Sequence, residues 1–353
     1  MAAPEEMPDP LATIFRRLIA NYGPITLMHY MGESNARYYA GKDPLGTGGD
    51  FITAPEISQI FGELIGLWLT DIWTRAGRPK NVGYVELGPG RGTLARDALR
   101  AMKHFGLEPS VHFVEGSGAL RDIQLAAVPG ARWHDDLSSV PMRGPLLIVG
   151  NEFLDALPVR QLVKTPGGWR ERMVGLDGER FVPVAGDRPM DAAVPDSLRA
   201  APDGTLIETC PAAASVVYEI AGRLTRQGGA ALLIDYGHDA PRTGSTLQAL
   251  RAHAKVDPFE MPGEADLTAH VDFAAMADVA RSRGVRHLGT VPQGDWLRSL
   301  GIEHRARTLA EAAPQHAAAV HAAMERLIAE DQMGVLFKVM GLASPEWPDG
   351  AGF

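Results

Sequence analysis

The chain has 353 residues, 45% of them hydrophobic and 22% charged, with a net charge of −9. That composition is globular and long enough for one elaborated domain or two, with a substantial core. No Lys/Arg run exceeds two residues, so nucleic acid is disfavoured as the main substrate, because a phosphate backbone needs a basic stripe.

The single cysteine, Cys210, excludes an intramolecular disulfide and reads as a structural thiol in a reducing compartment. Glu5, Glu6 and Asp9 mark an N-terminus with neither an apolar signal core nor an Arg-rich transit character. No stretch approaches about 18 consecutive apolar residues. These features predict a cytoplasmic protein without a membrane span.

In chain order, Leu11, Ile14, Phe15, Leu18 and Ile19 recur at helical spacing within 10–30, and Asn21-Tyr22-Gly23-Pro24 ends that helix. Residues 38–53 are rich in Gly and aromatics and read as an ordered loop covering a site. A strong helix follows over about 55–76, and these parts make an N-terminal helical region, 1–80. From there the pattern alternates strand and helix, as in a parallel sheet. Strands are expected at 82–86, 111–115, 145–150 and 230–235, helices near 92–104, 117–127 and 212–226, and a last strand at 334–340 on the sheet's far side. The core is thus 81–343, with insertions at 160–205 and 237–270, and 344–353 is a tail. The first insertion carries a β-hairpin, 170–174 with 180–184, turned at Asp177-Gly178. The second is a Gly/Pro/His-rich connection that reads as a site-covering loop.

Glu86-Leu87-Gly88-Pro89-Gly90-Arg91-Gly92 joins a buried strand to a helix, which sets several unpaired backbone N–H groups beside one ligand. The loop resembles the one with which class I methyltransferases hold S-adenosylmethionine. Its last part also satisfies the dinucleotide fingerprint, and a bare strand-to-helix turn would need the same glycines. Glu86 favours a cationic ligand, since its carboxylate would repel a pyrophosphate, and Pro89 removes an N–H that a pyrophosphate would use.

Ligands of open α/β sheets bind at the strands' carboxyl ends. Glu115, ending the second strand, can accept hydrogen bonds from both hydroxyls of a ribose, or is simply a solvated strand end. Asp136 and Leu137 are placed to meet an adenine, or are plain turn residues. Asn151-Glu152-Phe153-Leu154-Asp155 leaves the fourth strand where a methyl acceptor would lie. Glu152 and Asp155 could hold a cationic acceptor, although Asp155 could equally cap a helix. No HExxH, cysteine cluster or Walker A pattern occurs, which predicts no metal and no nucleotide hydrolysis.

Five ordered blocks resemble the signature of the MidA family: Gly49 to Glu63, Glu86 to Gly92, Asn151 to Val159, Asp235-Tyr236-Gly237-His238 and Asp266 to Phe273. The resemblance implies an α/β, class I S-adenosylmethionine-dependent methyltransferase with a Rossmann-like, mostly parallel sheet. Its mitochondrial members are protein arginine methyltransferases that act on a subunit of respiratory complex I during assembly, so a protein substrate is implied. Gly88, Gly90 and Glu115 match the family's cofactor positions, and Glu86, Asp136, Leu137 and Asn151 complete the expected cofactor set. Asn151, Glu152, Asp155, Asp50 and Glu56 form the expected acceptor set, with Asp50 and Glu56 supplied by the N-terminal loop. His270 stands where an acidic residue is expected. A nicotinamide-dependent oxidoreductase and a non-catalytic assembly factor with the same fold are the rival readings.

Overall fold

A computed structural model describes residues 10–41, 53–252 and 254–353. Two compact units emerge, and both are discontinuous in sequence. The larger draws on 43–155, 213–241 and 270–353, the smaller on 1–42, 156–212 and 242–269. This partition differs from the linear one expected from sequence: the first helix groups with the insertions, and the helix over 59–75 groups with the sheet.

The larger unit holds an eight-stranded sheet, in which the short strand Val271–Asp272 pairs with the end of β5 and seven strands form the main path: β1 (Gly83–Leu87), β2 (Ser110–Val114), β3 (Arg132–His134), β4 (Leu146–Asn151), β5 (Gly229–His238), β6 (Arg286–Pro292) and β7 (Phe337–Ala343). Their spatial order is β6-β7-β5-β4-β1-β2-β3. Ladders β1–β2, β2–β3, β1–β4 and β4–β5 are parallel, whereas β7 runs antiparallel to both β5 and β6. β7 therefore lies inside the sheet rather than at its far side, and β6, which sequence reasoning missed, forms that edge. Every residue of β1 and β4 is buried, and both are apolar apart from Glu86 and the terminal Asn151. Strand order reverses between β1 and β4, the switch point at which such sheets open a crevice.

Helices cover the sheet: α1 (Ala54–Ile57), α2 (Gln59–Arg75), α3 (Thr93–His104), α4 (Gly118–Ala127) and α5 (Pro211–Gln227). The single helix expected over 55–76 breaks at Ser58, whose extended backbone caps α2 and whose hydroxyl accepts from the Ile60 amide. α2 packs on α3 at unusually short range. A Cβ on Gly66 would lie 2.4 Å from the Ala98 carbonyl oxygen, and one on Gly62 would lie 2.9 Å from the Asp97 Cβ. Buried Glu63 between these glycines accepts from Arg100 at 3.0 Å and Arg305 at 2.8 Å. Burial would raise its carboxyl, but the two guanidinium groups win and hold it below the ordinary value.

In the smaller unit, helices Pro10–Tyr22 and Leu27–Gly41 join a five-stranded antiparallel sheet that includes the expected hairpin. Tyr38 is helical rather than the start of a loop, and Asp50 lies outside the described residues. The hairpin pairs Asp177 with Arg180, so the two-residue turn is Gly178-Glu179, one position beyond the expected Asp-Gly. Gly178 sits at φ +59, where glycine carries no steric cost. Residues 237–270 are no structureless connection: Gln248–Arg251, Ala254–Val256 and Asp266–Thr268 form a three-stranded sheet. Cys210 is half-buried, its Sγ 3.5 Å from the Pro158 carbonyl oxygen. Among the described residues no helix is long and apolar enough to cross a membrane, and no His/Cys/Asp/Glu group is set to hold a metal ion.

Candidate active site

The carboxyl ends of β1, β2 and β4 lie side by side in the larger unit, and the expected residues cluster there. Gly88, Gly90 and Gly92 have φ of +60, +54 and +77, which only glycine adopts freely. The turn is tied down by its own backbone: Gly88 N–H donates to the Val114 carbonyl at 3.0 Å, and Gly92 N–H to Pro89 at 2.7 Å. At Gly88 close approach matters as well as conformation, since a Cβ would lie 2.8 Å from the Phe153 ring. Phe153, leaving β4, thus roofs the first glycine.

Glu86 behaves differently from the expectation of a carboxylate offered to a cation. Its side chain is buried and accepts from the Tyr84 hydroxyl at 2.5 Å, two residues back on the same strand face. Burial pushes the Glu86 carboxyl up to about 8, against the lowering effect of that hydrogen bond. At neutral pH burial therefore favours the uncharged form, and Glu86 does not offer a ligand the carboxylate charge expected from sequence.

Glu115 follows β2 and is half-buried. Its Oε1 accepts from the Ser117 amide at 2.8 Å and its Oε2 from Gln124 Nε2 at 3.1 Å. Burial raises its carboxyl, opposed by those two donors. Asp136 is exposed and serves as an N-cap, accepting from the Ser139 amide at 3.1 Å and the Ser138 hydroxyl at 2.5 Å. Leu137 is buried, and its carbonyl accepts from the Arg223 guanidinium at 2.6 Å. The turn they share is held by buried Arg223, which also donates to the Ser138 and Val140 carbonyls at 2.8 and 2.7 Å.

β4 ends in a strained turn. Glu152 has φ +51, rare for a residue with a side chain, and its amide donates to the Ile234 carbonyl at 2.8 Å. Asp235, not singled out from sequence as a site residue, imposes that shape. Its Oδ2 accepts from the amides of Phe153, Leu154 and Asp155 at 3.1, 2.9 and 3.2 Å, and its Oδ1 from Tyr236 at 3.0 Å. Burial, then Asp155 and Glu152, push its carboxyl well above the ordinary range despite those amides.

Three carboxyl groups therefore meet in one turn. Glu152 Oε1 accepts from the Ala54 amide at 2.9 Å and from Asn151 Nδ2 at 3.1 Å, and burial pushes the group up to about 7. That leaves its Oε2 without a hydrogen bond among the described residues. Asn151 Oδ1 is buried and has no hydrogen-bond partner among them either. Glu56, on α1, takes a different place. Its carboxylate accepts from the Thr93 hydroxyl at the start of α3, so it braces the glycine turn. His270 packs edge-on against Tyr236, with ring centroids 5.4 Å apart.

Sequence reasoning missed Asp235, Gln124 and Arg223. Asp235 stood in a quoted block, but its carboxyl acts on backbone amides some 80 residues away, which no local pattern reveals.

Residues 64–291 match the family model described as "putative S-adenosyl-L-methionine-dependent methyltransferase". The chain is 37% identical to the mitochondrial protein arginine methyltransferase NDUFAF7 of Xenopus tropicalis, over 91% of this chain and 82% of that one. It is 38% identical to the human protein of the same name, over 86% and 77%. A Burkholderia thailandensis protein solved with S-adenosyl-homocysteine bound has a similar structure, with a TM-score of 0.83 and 31% identity, covering 97% of this chain and 95% of that one.

Proposed function

The chain belongs to this S-adenosyl-L-methionine-dependent methyltransferase family, and we propose that the group it methylates is an arginine nitrogen of a protein substrate. The observation that carries the acceptor assignment is the set of hydrogen-bond acceptors left open where β4 ends. Among the described residues Asn151 Oδ1 is buried without a partner and Glu152 Oε2 accepts no hydrogen bond; the Asp155 carboxyl adds negative charge in the same turn. A guanidinium is their chemical complement, because it is cationic and presents five donors and no acceptor. The family resemblance extends the proposal to a target like a respiratory complex I subunit.

On the cofactor side we assign Gly88, Gly90, Glu115, Asp136, Leu137 and Asn151 to S-adenosylmethionine. The fit is supported by the positive-φ turn, which keeps side chains off the ligand, and by a Glu115 carboxylate prepared to accept hydroxyls. Glu86 lies beneath this set and shapes the β1 end rather than presenting a charge.

Bound S-adenosylmethionine supplies a methyl already activated by its sulfonium, so this chain's part is mainly positioning. Glu152 and Asp155 hold the guanidinium and concentrate its charge away from the reacting nitrogen. Asn151, its Nδ2 committed to Glu152, turns Oδ1 toward an N–H. A carboxyl near 7 suits Glu152 to receive, at Oε2, the proton that the methylated nitrogen gives up.

Incubating the protein with methyl-labelled S-adenosylmethionine and host lysate, then mapping the labelled residue, tests the reading. Label on protein arginine is expected. Label confined to a small molecule, or to another residue type, overturns it.

A further inference from the structure

The Gln124 side chain on α4 is fully buried, and its amide joins three strand ends. Nε2 donates to the Gly90 carbonyl at 2.7 Å, in the turn after β1, and to Glu115 Oε2 at 3.1 Å, just beyond β2. Oε1 accepts from Trp133 Nε1, on β3, at 2.7 Å. A flipped amide would set oxygen against a carbonyl and a carboxylate, and N–H against an indole N–H, so donor–acceptor chemistry fixes the orientation. α4 also packs under the turn: a Cβ on Gly92 would lie 3.3 Å from Ala127 Cβ.

We propose that Gln124 is a positioning residue that sets affinity for the ribose of the cofactor, a proposal that rests on Glu115 being the ribose carboxylate. Each carboxylate oxygen has two acceptor sites. The Ser117 amide holds Oε1 and Gln124 holds Oε2, with the Gly116 amide also directed at the group, so Gln124 fixes the carboxylate edge that two vicinal hydroxyls would approach. Without Gln124 the carboxylate can rotate, and its pull toward the charged form weakens, since that amide is among the groups opposing burial. The same amide holds the Gly90 peptide, so the glycine turn and the ribose carboxylate move as one body. A buried, fully engaged amide on a helix with no glycine-loop motif of its own is otherwise an expensive choice over leucine or methionine.

The test is calorimetric titration with S-adenosylhomocysteine and with its analogue lacking both ribose hydroxyls, paired with thermal melting. The wild-type protein should bind S-adenosylhomocysteine at least tenfold more tightly than the analogue. Gln124→Met should weaken S-adenosylhomocysteine at least tenfold and the analogue less than threefold. Equal weakening of both ligands, or of neither, overturns the proposal. Trp133→Phe removes only the group that orients the amide. It should cost about threefold for S-adenosylhomocysteine and nothing for the analogue, and it serves should Gln124→Met fail to fold; no change for either ligand counts against the proposal. Glu115→Gln separates the two claims: should it bind both ligands as the wild type does, the ribose reading itself falls. If Glu115→Gln loses the discrimination while Gln124→Met keeps it, only the role of Gln124 falls.

Discussion

Glu86→Gln should make the protein less sensitive to rising pH. The ordinary value for this carboxyl is 4.5, and in the folded chain burial pushes it to about 8. Between those limits the unfolded chain has released the proton and the folded chain still holds it. Stability from this group is therefore complete below 4.5, and is lost as pH rises to about 8. The loss runs at about 1.4 kcal/mol per pH unit, or about 3 kcal/mol between about pH 5.5 and 7.5. With an unfolding entropy of about 2.1 cal/mol/K per residue, that is about 4 °C in melting temperature for a chain of this length. Glutamine cannot ionise and can still accept from the Tyr84 hydroxyl, so the variant lacks this slope. The assay is thermal melting of both proteins across pH 5.5 to about 9, read as the difference between them. Glu152 and Asp235 are common to both proteins, so their contributions cancel in the difference. The difference should widen in favour of the variant up to about pH 8 and then level off. A flat difference, or one that favours the wild type as pH rises, would refute a buried, uncharged Glu86.

Glu152→Gln should leave S-adenosylhomocysteine binding unchanged and lower kcat/KM for an arginine peptide by about a hundredfold, near 2.7 kcal/mol of transition-state stabilisation; a full rate would sink its acceptor role. Wild-type kcat/KM should rise with pH and level off above about 7, as Glu152 ionises, and steady-state rates on the variant should lack that limb. Asp235→Ala strands three amides of the β4 turn and should cost about 2–4 kcal/mol in denaturant unfolding, with transfer reduced more than cofactor binding. Gly66→Ala drives a methyl into the Ala98 carbonyl and should destabilise by about 1–3 kcal/mol, seen as a lower denaturation midpoint; a neutral result would mean that α2 and α3 can separate at little cost.

Much of the larger unit could be read along the chain. Strands β1, β2, β4 and β5 fell within about a residue of their expected starts, because strands buried along most of their length are largely apolar stretches between turn signals. The glycine turn was equally legible, since three positive-φ positions in five residues admit little besides glycine. The break at Ser58 was not, because the apolar pattern of 55–76 continues through it. β6 and the strands of 237–270 were missed, because short or half-buried antiparallel strands with polar residues interspersed carry no such run.

Sequence by itself determined which residues reach the carboxyl ends of the strands, because strand direction, turn chemistry and helix start are local properties of consecutive residues. Tertiary structure alone decided what those residues do on arrival. Glu86 looked like a charge offered to a ligand, and burial beside Tyr84 favours its protonated form inside the sheet. Asp136 looked like a ligand contact and is first a helix cap, and Glu56 braces Thr93 rather than joining Glu152. Asp235 and Gln124 draw their importance from partners far along the chain. Charge state and hydrogen-bond assignment depend on the dielectric and the neighbours around an atom, and those exist only once distant segments have packed together.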